Sequence, residues 1–415
     1  MPDSRSELAR TPGVALASMV GVAFSAPTVG FTYSIGPFIN PLIAEFGWTR
    51  QQILTTQTLM TIAIVIASAL AGWIADRYGV RRMILISQTM LGGGFFLLAT
   101  FLQDLTTLYV LYLLIALGGG GTVGIGFARL ISQRFVRQRG LALGIAMSGS
   151  GLCGFLVPPY AAWAVQTFGW RGAYVAIGLL PLCIALPLAW RYLHDAPVEA
   201  KPVIKAQTTP GSADASVGIT LARAMRDYRF WALAVGLFLC SGMMTAFVTN
   251  IVPLLEESGF DPLASAGAAS AFGIAVLAGR ILIGGLMDRF FAPLVGALFV
   301  LPAGLGVMLL GTIEPGFMIV ITIVFLAGLA AGAEVDLMAY LTSRYFGLRE
   351  YGKIFAAQYI AFALGPGLWV PLIGSMRDDS GSYVSGLYVI GAGIAAFALL
   401  LLTLGPYTKT TAVHT

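Results

Sequence analysis

The chain has 415 residues, of which 58% are hydrophobic and only 10% are charged. Because soluble domains carry about 25% charged residues, this composition indicates a membrane protein that crosses the bilayer many times. It excludes soluble enzymes and nucleic-acid-binding proteins, and the formal net charge of +5 has to be interpreted from where the charges lie.

Apolar runs follow one another along nearly the whole chain. A helix needs about 20 apolar residues to cross the hydrocarbon core, and the sequence predicts twelve such helices. The runs do not alternate polar and apolar residues as the strands of membrane barrels do, so the predicted class is all-α and polytopic. The predicted spans are 13–39, 51–75, 83–102, 107–130, 140–163, 171–192, 230–254, 263–287, 293–312, 317–342, 354–376 and 384–406.

The longest polar insert separates the sixth and seventh predicted spans. It covers 193–229 and contains Pro, Thr, Ser and mixed charges, so we interpret it as a flexible cytoplasmic linker. The predicted domains are an N-terminal six-helix bundle over 1–192 and a C-terminal six-helix bundle over 230–415. The polar N-terminus lacks the features of a cleaved signal peptide, so we expect the first span to target the chain to the membrane.

Basic residues concentrate in loops on one side of the predicted spans. If both termini are cytoplasmic, only Arg50, Arg171 and Arg377 face outward, and Arg280 lies within a span. This distribution follows the positive-inside rule. It predicts a multi-pass protein of the cytoplasmic (inner) membrane, and the net charge is mostly a signal of topology.

A sequence pattern in the first half recurs in the second half. The two copies have the same number of spans, and six is even, so both copies enter the membrane in the same direction. Secondary transporters built from parallel repeats bind substrate at mid-depth, between the halves. Thr49 and Asp261 are equivalent in this repeat and suit helix N-caps. The pattern Pro41, Glu45, Gly47, Trp48 and Thr49 returns 212 residues later as Pro253, Glu257, Gly259, Phe260 and Asp261.

Residues 72–82, Gly-Trp-Ile-Ala-Asp-Arg-Tyr-Gly-Val-Arg-Arg, resemble the loop 2–3 signature of the major facilitator superfamily. The resemblance implies that superfamily's fold, with twelve helices in two parallel, pseudo-symmetric bundles, and a monomer as the working unit. In the superfamily this signature forms a latch that stabilises the outward-open state. The matching positions are Asp76, Arg77, Arg81 and Arg82, with Asp288 and Arg289 as a weaker copy.

A narrower resemblance is to the monocarboxylate porters and oxalate/formate antiporters. Arg280 matches the span 8 arginine that binds the substrate carboxylate in that group. The other similar segments fall in span 1 and around loop 4–5, at 33–34, 40–41, 135–146 and 149–151.

Three positions depart from this narrower family. The animal porters carry an aspartate where Val276 stands and a span 1 lysine near Pro37, and the oxalate antiporter has a span 11 lysine where Gln358 stands. The family's proton site and second cation are therefore not implied here. A monoanion fits this chain better than the dianion oxalate.

Arg280 is the residue that the sequence most directly links to substrate binding. A lone arginine near mid-bilayer costs several kcal/mol unless it is paired or faces water. A guanidinium binds a carboxylate through a two-pronged fork, so we predict that Arg280 anchors a carboxylate. The alternative is a structural ion pair with span 10.

Two acids lie in the inner third of span 10. Glu334 and Asp336 are two residues apart, so they point about 200° away from each other on a helix. One of them is predicted to take a proton and couple transport to the proton gradient. The alternative is an inner-gate bond to a cytoplasmic arginine such as Arg129 or Arg344. Arg129 itself either takes part in gating or only extends to the headgroups.

Further polar or amphipathic side chains lie in spans 1, 2, 7 and 11, which line the cavity in this fold. A buried amide needs hydrogen-bond partners, which a substrate or a neighbouring helix can supply, and both interpretations remain open. These predicted substrate-binding residues are Tyr33, Gln57, Asn250, Gln358 and Tyr359.

The leading hypothesis is a secondary active transporter that moves a small organic anion, first of all a monocarboxylate, by alternating access with proton coupling. The alternatives are an anion exchanger of the oxalate/formate type, a drug or cation exporter, and a non-transporting membrane receptor. With two histidines, both in polar segments, we expect no metal site, no cofactor and no enzymatic activity. The expected partners are a small carboxylate, protons and the lipid bilayer, and nucleic acid is not a partner.

Overall fold

The computed structural model describes residues 12–135, 139–194, 218–287, 289–312, 316–347 and 349–407. Within these ranges the backbone is nearly all helical and forms no strand beyond one isolated bridge between Gly218 and Gly347. The α-helices are α1 (Pro12–Ser25), α2 (Pro27–Ser34), α3 (Gly36–Phe46), α4 (Arg50–Tyr78), α5 (Val80–Phe101), α6 (Leu105–Gly118), α7 (Gly124–Arg134), α8 (Arg139–Met147), α9 (Gly149–Leu179), α10 (Leu186–Tyr192), α11 (Leu221–Ala224), α12 (Tyr228–Glu257), α13 (Pro262–Met287), α14 (Ala292–Leu310), α15 (Phe317–Phe346), α16 (Tyr351–Ser380) and α17 (Val384–Thr403).

Ten helical stretches of the described residues are long and apolar enough to cross a membrane. One of them, Leu141–Tyr192, contains both the fifth and the sixth predicted spans. The first predicted span is missing from the ten because it is divided, and its apolar first helix α1 has only 14 residues. The predicted all-α, polytopic class is confirmed.

The first predicted span differs most from its prediction. The sequence predicts one helix over 13–39, whereas the structure has α1, α2 and α3 and continues to Phe46. Ala26 adopts an extended conformation between α1 and α2, and Pro27 begins α2. Because proline lacks an N–H group and cannot continue the hydrogen-bond ladder of a preceding turn, the interruption falls at this proline.

Glycines with positive φ stand at equivalent positions of the two sequence copies. Gly47 ends α3 with φ of 68°, and Gly259, which follows α12, has φ of 87°. Gly169, at a kink in α9, has φ of 68°, and Gly381, at the end of α16, has φ of 69°. Residues with a Cβ rarely adopt positive φ, so these turns explain why glycine stands at both members of each pair.

Both predicted N-caps are confirmed. The Thr49 hydroxyl accepts from the Gln52 backbone N–H, and the Gln52 side chain accepts from the Thr49 N–H, which makes a capping box at the start of α4. Asp261 accepts from the N–H groups of Leu263 and Ala264 at 2.9 and 3.2 Å, at the start of α13. These bonds satisfy donors that a helix N-terminus leaves unpaired.

The chain divides into two compact units, Met1–Lys201 with Val248–Gly273, and Pro202–Phe247 with Ile274–Thr415. The last part of α12 and the first part of α13 thus belong to the first unit. The boundaries 1–192, 193–229 and 230–415 remain a prediction. Residues 195–217 of the predicted linker lie outside the described residues, and its later part contains the short helix α11, which Thr220 caps.

Candidate functional site

Arg280 and Asp336 form a loose ion pair in the second unit. Arg280 lies on α13 and Asp336 on α15, and Arg280 Nε is 3.9 Å from Asp336 Oδ2. This distance is too long for a hydrogen bond, and among the described residues the buried Nε atom has no hydrogen-bond partner. The side chains are 25% and 45% exposed. The ion pair with span 10 is therefore present, but it leaves a quarter of the Arg280 side chain exposed.

Close backbone packing of α13 against α15 brings these two charges together. A Cβ on Gly279 would overlap the Leu329 carbonyl, and a Cβ on Gly332 would overlap the Val276 carbonyl. Small residues allow membrane helices to approach this closely. Arg280 and Asp336 each follow the Val276–Gly332 contact by four residues, which is about one helical turn.

The second acid of α15 lies in a different environment. Glu334 is 6% exposed, and its Oε1 accepts a hydrogen bond of 3.2 Å from the Sγ of the fully buried Cys240 on α12. The structure therefore separates the two acids, as their spacing predicts. Arg344, one of the alternative partners that the sequence suggests for these acids, donates from its Nε to the Tyr340 hydroxyl at 3.3 Å.

Gln358 and Tyr359 lie side by side on α16 but have different partners. Gln358 is fully buried, and its Nε2 donates to the Phe230 carbonyl of α12 at 2.9 Å. This bond supports the helix–helix interpretation of Gln358. Half-buried Tyr359 stacks between Phe355 and Phe362 of its own helix.

The first unit contains the remaining predicted substrate-binding residues. Tyr33 packs near Phe272, with ring centroids 6.3 Å apart. Gln57 is buried, and its Oε1 has no hydrogen-bond partner in the described part of the chain. Asn250 is also buried, and its Nδ2 donates to the Thr249 hydroxyl at 3.4 Å.

The basic residues of the loop 2–3 signature have partners on two helices. Arg81 donates to the Trp190 carbonyl at 2.8 Å, and Arg77 lies over the rings of Trp73 and Tyr78 on its own helix. Arg82 is exposed. The Trp190 carbonyl is in the last turn of α10, where it has no partner within the helix.

The rest of the predicted latch and gate is only partly described. The side chain of Asp76 and the whole of Asp288 lie outside the described residues. Arg289 is exposed after α13, and Arg129 is half-buried on α7. The latch and gating roles therefore remain predictions.

A polar network between the middle of α3, the start of α4 and the end of α12 was not identified from the sequence. Asn40 Nδ2 donates to Glu256 Oε2 at 2.7 Å, and Arg50 donates to Asn40 Oδ1 at 3.2 Å and pairs with Glu257. The sequence did contain a signal, because Arg50 is one of three arginines predicted to face outward. The Cys240–Glu334 contact had no such signal, since a cysteine within an apolar run usually only packs.

The predicted absence of a metal site can be compared with the positions of the possible ligands. In the residues that the structure describes, no group of three or more His, Cys, Asp or Glu side chains could hold a metal ion.

Comparisons with known proteins agree with this architecture. Residues 19–370 match the family model described as Major Facilitator Superfamily. Monocarboxylate transporter 13 of Bos taurus is 26% identical over 393 residues, which cover 92% of this chain and 86% of that protein. A gallate transporter of Pseudomonas putida is 27% identical over 391 residues, or 83% of this chain and 84% of that protein. The crystal structure of a D-xylose–proton symporter has the same fold, with a TM-score of 0.73, 14% identity and coverage of 96% of this chain and 99% of that one.

Proposed function

The chain belongs to the Major Facilitator Superfamily, and we propose that within this family of membrane transporters it moves a small organic anion, first of all a monocarboxylate. The transport is secondary active and proceeds by alternating access. We further propose a monomer in the cytoplasmic membrane with both termini on the cytoplasmic side.

The position of Arg280 carries this proposal. Its side chain is one quarter exposed, and its acidic neighbour approaches only the Nε edge, without a hydrogen bond. A guanidinium has five N–H donors, and Nε supplies one of them. The terminal donors can therefore form a fork with a carboxylate, while Asp336 offsets the charge of the empty site.

The chemistry of the relatives supports an anion with a carboxyl group. One relative is named as a monocarboxylate transporter and another as a gallate transporter, and gallate is an aromatic carboxylate. Gallate and other monocarboxylates share the carboxylate and differ in the rest of the molecule. This common group is the one that an arginine recognises.

Coupling to protons is the second part of the proposal. The acids Glu334 and Asp336 lie within α15, near the predicted anchor, and a carboxyl group inside a membrane helix is suited to carry a proton. Anion exchange is the competing mode. A cation exporter is less well supported, because Arg280 would repel a cation from Asp336.

Binding can be tested by thermal shift of the purified protein with lactate, pyruvate, benzoate and gallate. We expect at least one acid to stabilise the wild-type protein and none to stabilise Arg280→Ala. The control is Arg349→Ala, which removes an exposed arginine and should keep the shift. An acid that stabilises wild type and Arg280→Ala equally would contradict the assignment of the anchor.

Uptake into proteoliposomes tests transport by the same residue. Arg280→Lys keeps the charge but loses the fork, so we expect kcat/KM to fall by about tenfold or more with unchanged protein level. Accumulation driven by an inward proton gradient would indicate symport. Uptake that requires an anion inside the vesicles would indicate exchange.

A further inference from the structure

We propose that Glu334 is the proton-carrying residue of the transport cycle, that Cys240 is the positioning residue that closes this proton site, and that Asp336 remains the counter-ion of Arg280. The inference rests on the proposed function, because it divides the roles of the two acids near the predicted anion anchor. The Cys240–Glu334 contact is the observation that carries it.

The surroundings of Glu334 favour its protonated form in this conformation. The carboxyl group is 6% exposed, and its contact is the thiol of Cys240, which is a weak hydrogen-bond donor. An ionised carboxylate buried in this way costs several kcal/mol unless a cation or several strong donors compensate it. A protonated carboxyl group avoids that cost.

In the part of the chain that the structure describes, the helices around α15 bring few charges towards Glu334. From α12, Cys240 contacts Glu334 and Arg229 lies over the ring of Tyr345, about three turns further along α15. Arg280 from α13 is paired with Asp336, and the hydroxyl of Tyr351 from α16 bonds to the Ala339 carbonyl. The sequence of α14 contains no ionisable residue. The two cations are thus paired with the other acid or distant along the helix.

Asp336 is suited to the opposite role. Its Oδ2 atom lies 3.9 Å from Arg280 Nε and its side chain is 45% exposed, so its negative charge has a partner and is less buried than Glu334. Protonation of Asp336 would leave Arg280 without its counter-ion. We therefore assign Asp336 to charge compensation, where it competes with an incoming anion for the guanidinium.

This division of roles gives an electroneutral cycle. Entry of one monoanion beside Arg280 adds one negative charge, and one proton bound to Glu334 removes one. The summed charge of the site is then the same with both substrates bound as with neither bound. Separation of α12 from α15 would expose Glu334 to water and release the proton, whereas burial of the carboxyl group against α12 retains it.

Transport assays with pyruvate and gallate can separate the two acids. We expect Glu334→Gln to retain counterflow within about threefold of wild type and to lose accumulation driven by a pH gradient by about tenfold or more. We expect Asp336→Asn to change the affinity for the anion, because Arg280 loses its counter-ion, and to keep uptake dependent on the pH gradient. Gradient-driven accumulation that persists in Glu334→Gln and disappears in Asp336→Asn would overturn the assignment.

Cys240→Ala tests the positioning role. Loss of the thiol removes the hydrogen bond that Cys240 donates to the Glu334 carboxyl group, and such a donated bond favours the ionised form. We therefore expect the pH profile of uptake to move to more alkaline pH by roughly one unit, with counterflow retained. Cys153→Ala, at a second fully buried cysteine, is the matched control and should leave the profile in place. An unchanged profile in Cys240→Ala would contradict the role of Cys240.

An infrared measurement distinguishes failure of this inference from failure of the proposed function. The purified wild-type protein should show the carbonyl band of a protonated carboxyl group that is missing in Glu334→Gln and present in Asp336→Asn. If this Glu334-dependent band appears but the protein transports no organic anion, the proposed function is rejected and the proton site is supported. Identical bands in wild type and Glu334→Gln would reject the proton site itself.

Discussion

The Asn40 amide nitrogen donates a hydrogen bond of 2.7 Å to Glu256 Oε2, which joins the middle of α3 to the end of α12. The same Asn40 accepts from Arg50 through its Oδ1 atom, and Arg50 pairs with Glu257. Residues 216 positions apart are thus connected through two amide contacts and one ion pair. This network fixes the predicted outer end of α12 to the first unit of the chain.

A double-mutant cycle on Arg50 and Glu257 measures the strength of this connection. The two side chains are largely sheltered, so we expect a coupling energy of about 1 kcal/mol between Arg50→Gln and Glu257→Gln. The measurement is the free energy of unfolding in mixed micelles. The pair Arg171–Glu45, which is more exposed, serves as the comparison and should couple less strongly. Additive single effects at Arg50 and Glu257 would contradict the proposed coupling.

Patterns that are local in sequence could be predicted from it. The N-caps at Thr49 and Asp261 depend on the side chain and the three residues that follow, and the lengths of most membrane helices depend on runs of apolar residues. The two acids of α15 were expected on different sides because helical geometry fixes the angle between them.

Contacts that depend on tertiary packing could not be predicted. Nothing in the sequence indicates that the carbonyls of Val276 and Leu329 meet glycines of a neighbouring helix, and this packing decides which acid approaches Arg280. The Cys240 thiol likewise bonds to Glu334 only because α12 passes beside α15. The division of the first span also went unpredicted, since its prolines lie within an otherwise apolar run.

We predict that the Glu45 carboxylate makes a pH-dependent contribution to the stability of the folded protein. The Trp170 indole N–H, and then Arg171 Nη1 at 2.7 Å, donate to it and hold the pKa of Glu45 below its usual range. A carboxylate with a lowered folded-state pKa stabilises the fold above its unfolded-state pKa, and this stability is lost as pH falls through the folded value. Glu45→Gln should therefore lower the Tm near pH 7.

Comparison at acidic pH separates the charge of Glu45 from its packing. As the pH falls through the lowered pKa of Glu45, the wild-type carboxylate becomes protonated, so the Tm difference from Glu45→Gln should shrink. Trp170→Phe removes the first donor and should reproduce part of the effect at neutral pH. A Tm difference that is equal at both pH values would assign the effect to packing.

We predict that the contact of Arg81 with the end of α10 stabilises the fold. Its guanidinium donates to the Trp190 carbonyl at 2.8 Å and lies over the Trp190 ring, and a cation at a helix C-terminus is favourable. Arg81→Ala should lower the free energy of unfolding by about 1 kcal/mol. Arg82→Ala, at the exposed neighbouring position, is the control and should change it by less than about 0.5 kcal/mol. Equal effects at both positions would indicate a general influence of positive charge.

We predict from the position of Gly279 that the close approach of α13 to α15 is required for ligand binding as well as for stability. A Cβ on Gly279 would meet the Leu329 carbonyl, so Gly279→Ala forces the two helices apart and increases the distance between Arg280 and Asp336. We expect a loss of about 1–3 kcal/mol in the free energy of unfolding, together with weaker binding of the stabilising carboxylate. The measurements are unfolding in mixed micelles and ligand-induced thermal shift.

Gly285→Ala provides the matched control for Gly279→Ala on the same helix. A Cβ at Gly285 meets no atom within 4 Å, and alanine is the better helix former, so we expect stability to be unchanged or slightly increased and ligand binding to be retained. Both variants add one methyl group to α13. A difference between them in stability or ligand binding therefore reports the contact of α13 with α15. If Gly279→Ala bound the carboxylate as tightly as Gly285→Ala, the close packing would not be what positions Arg280.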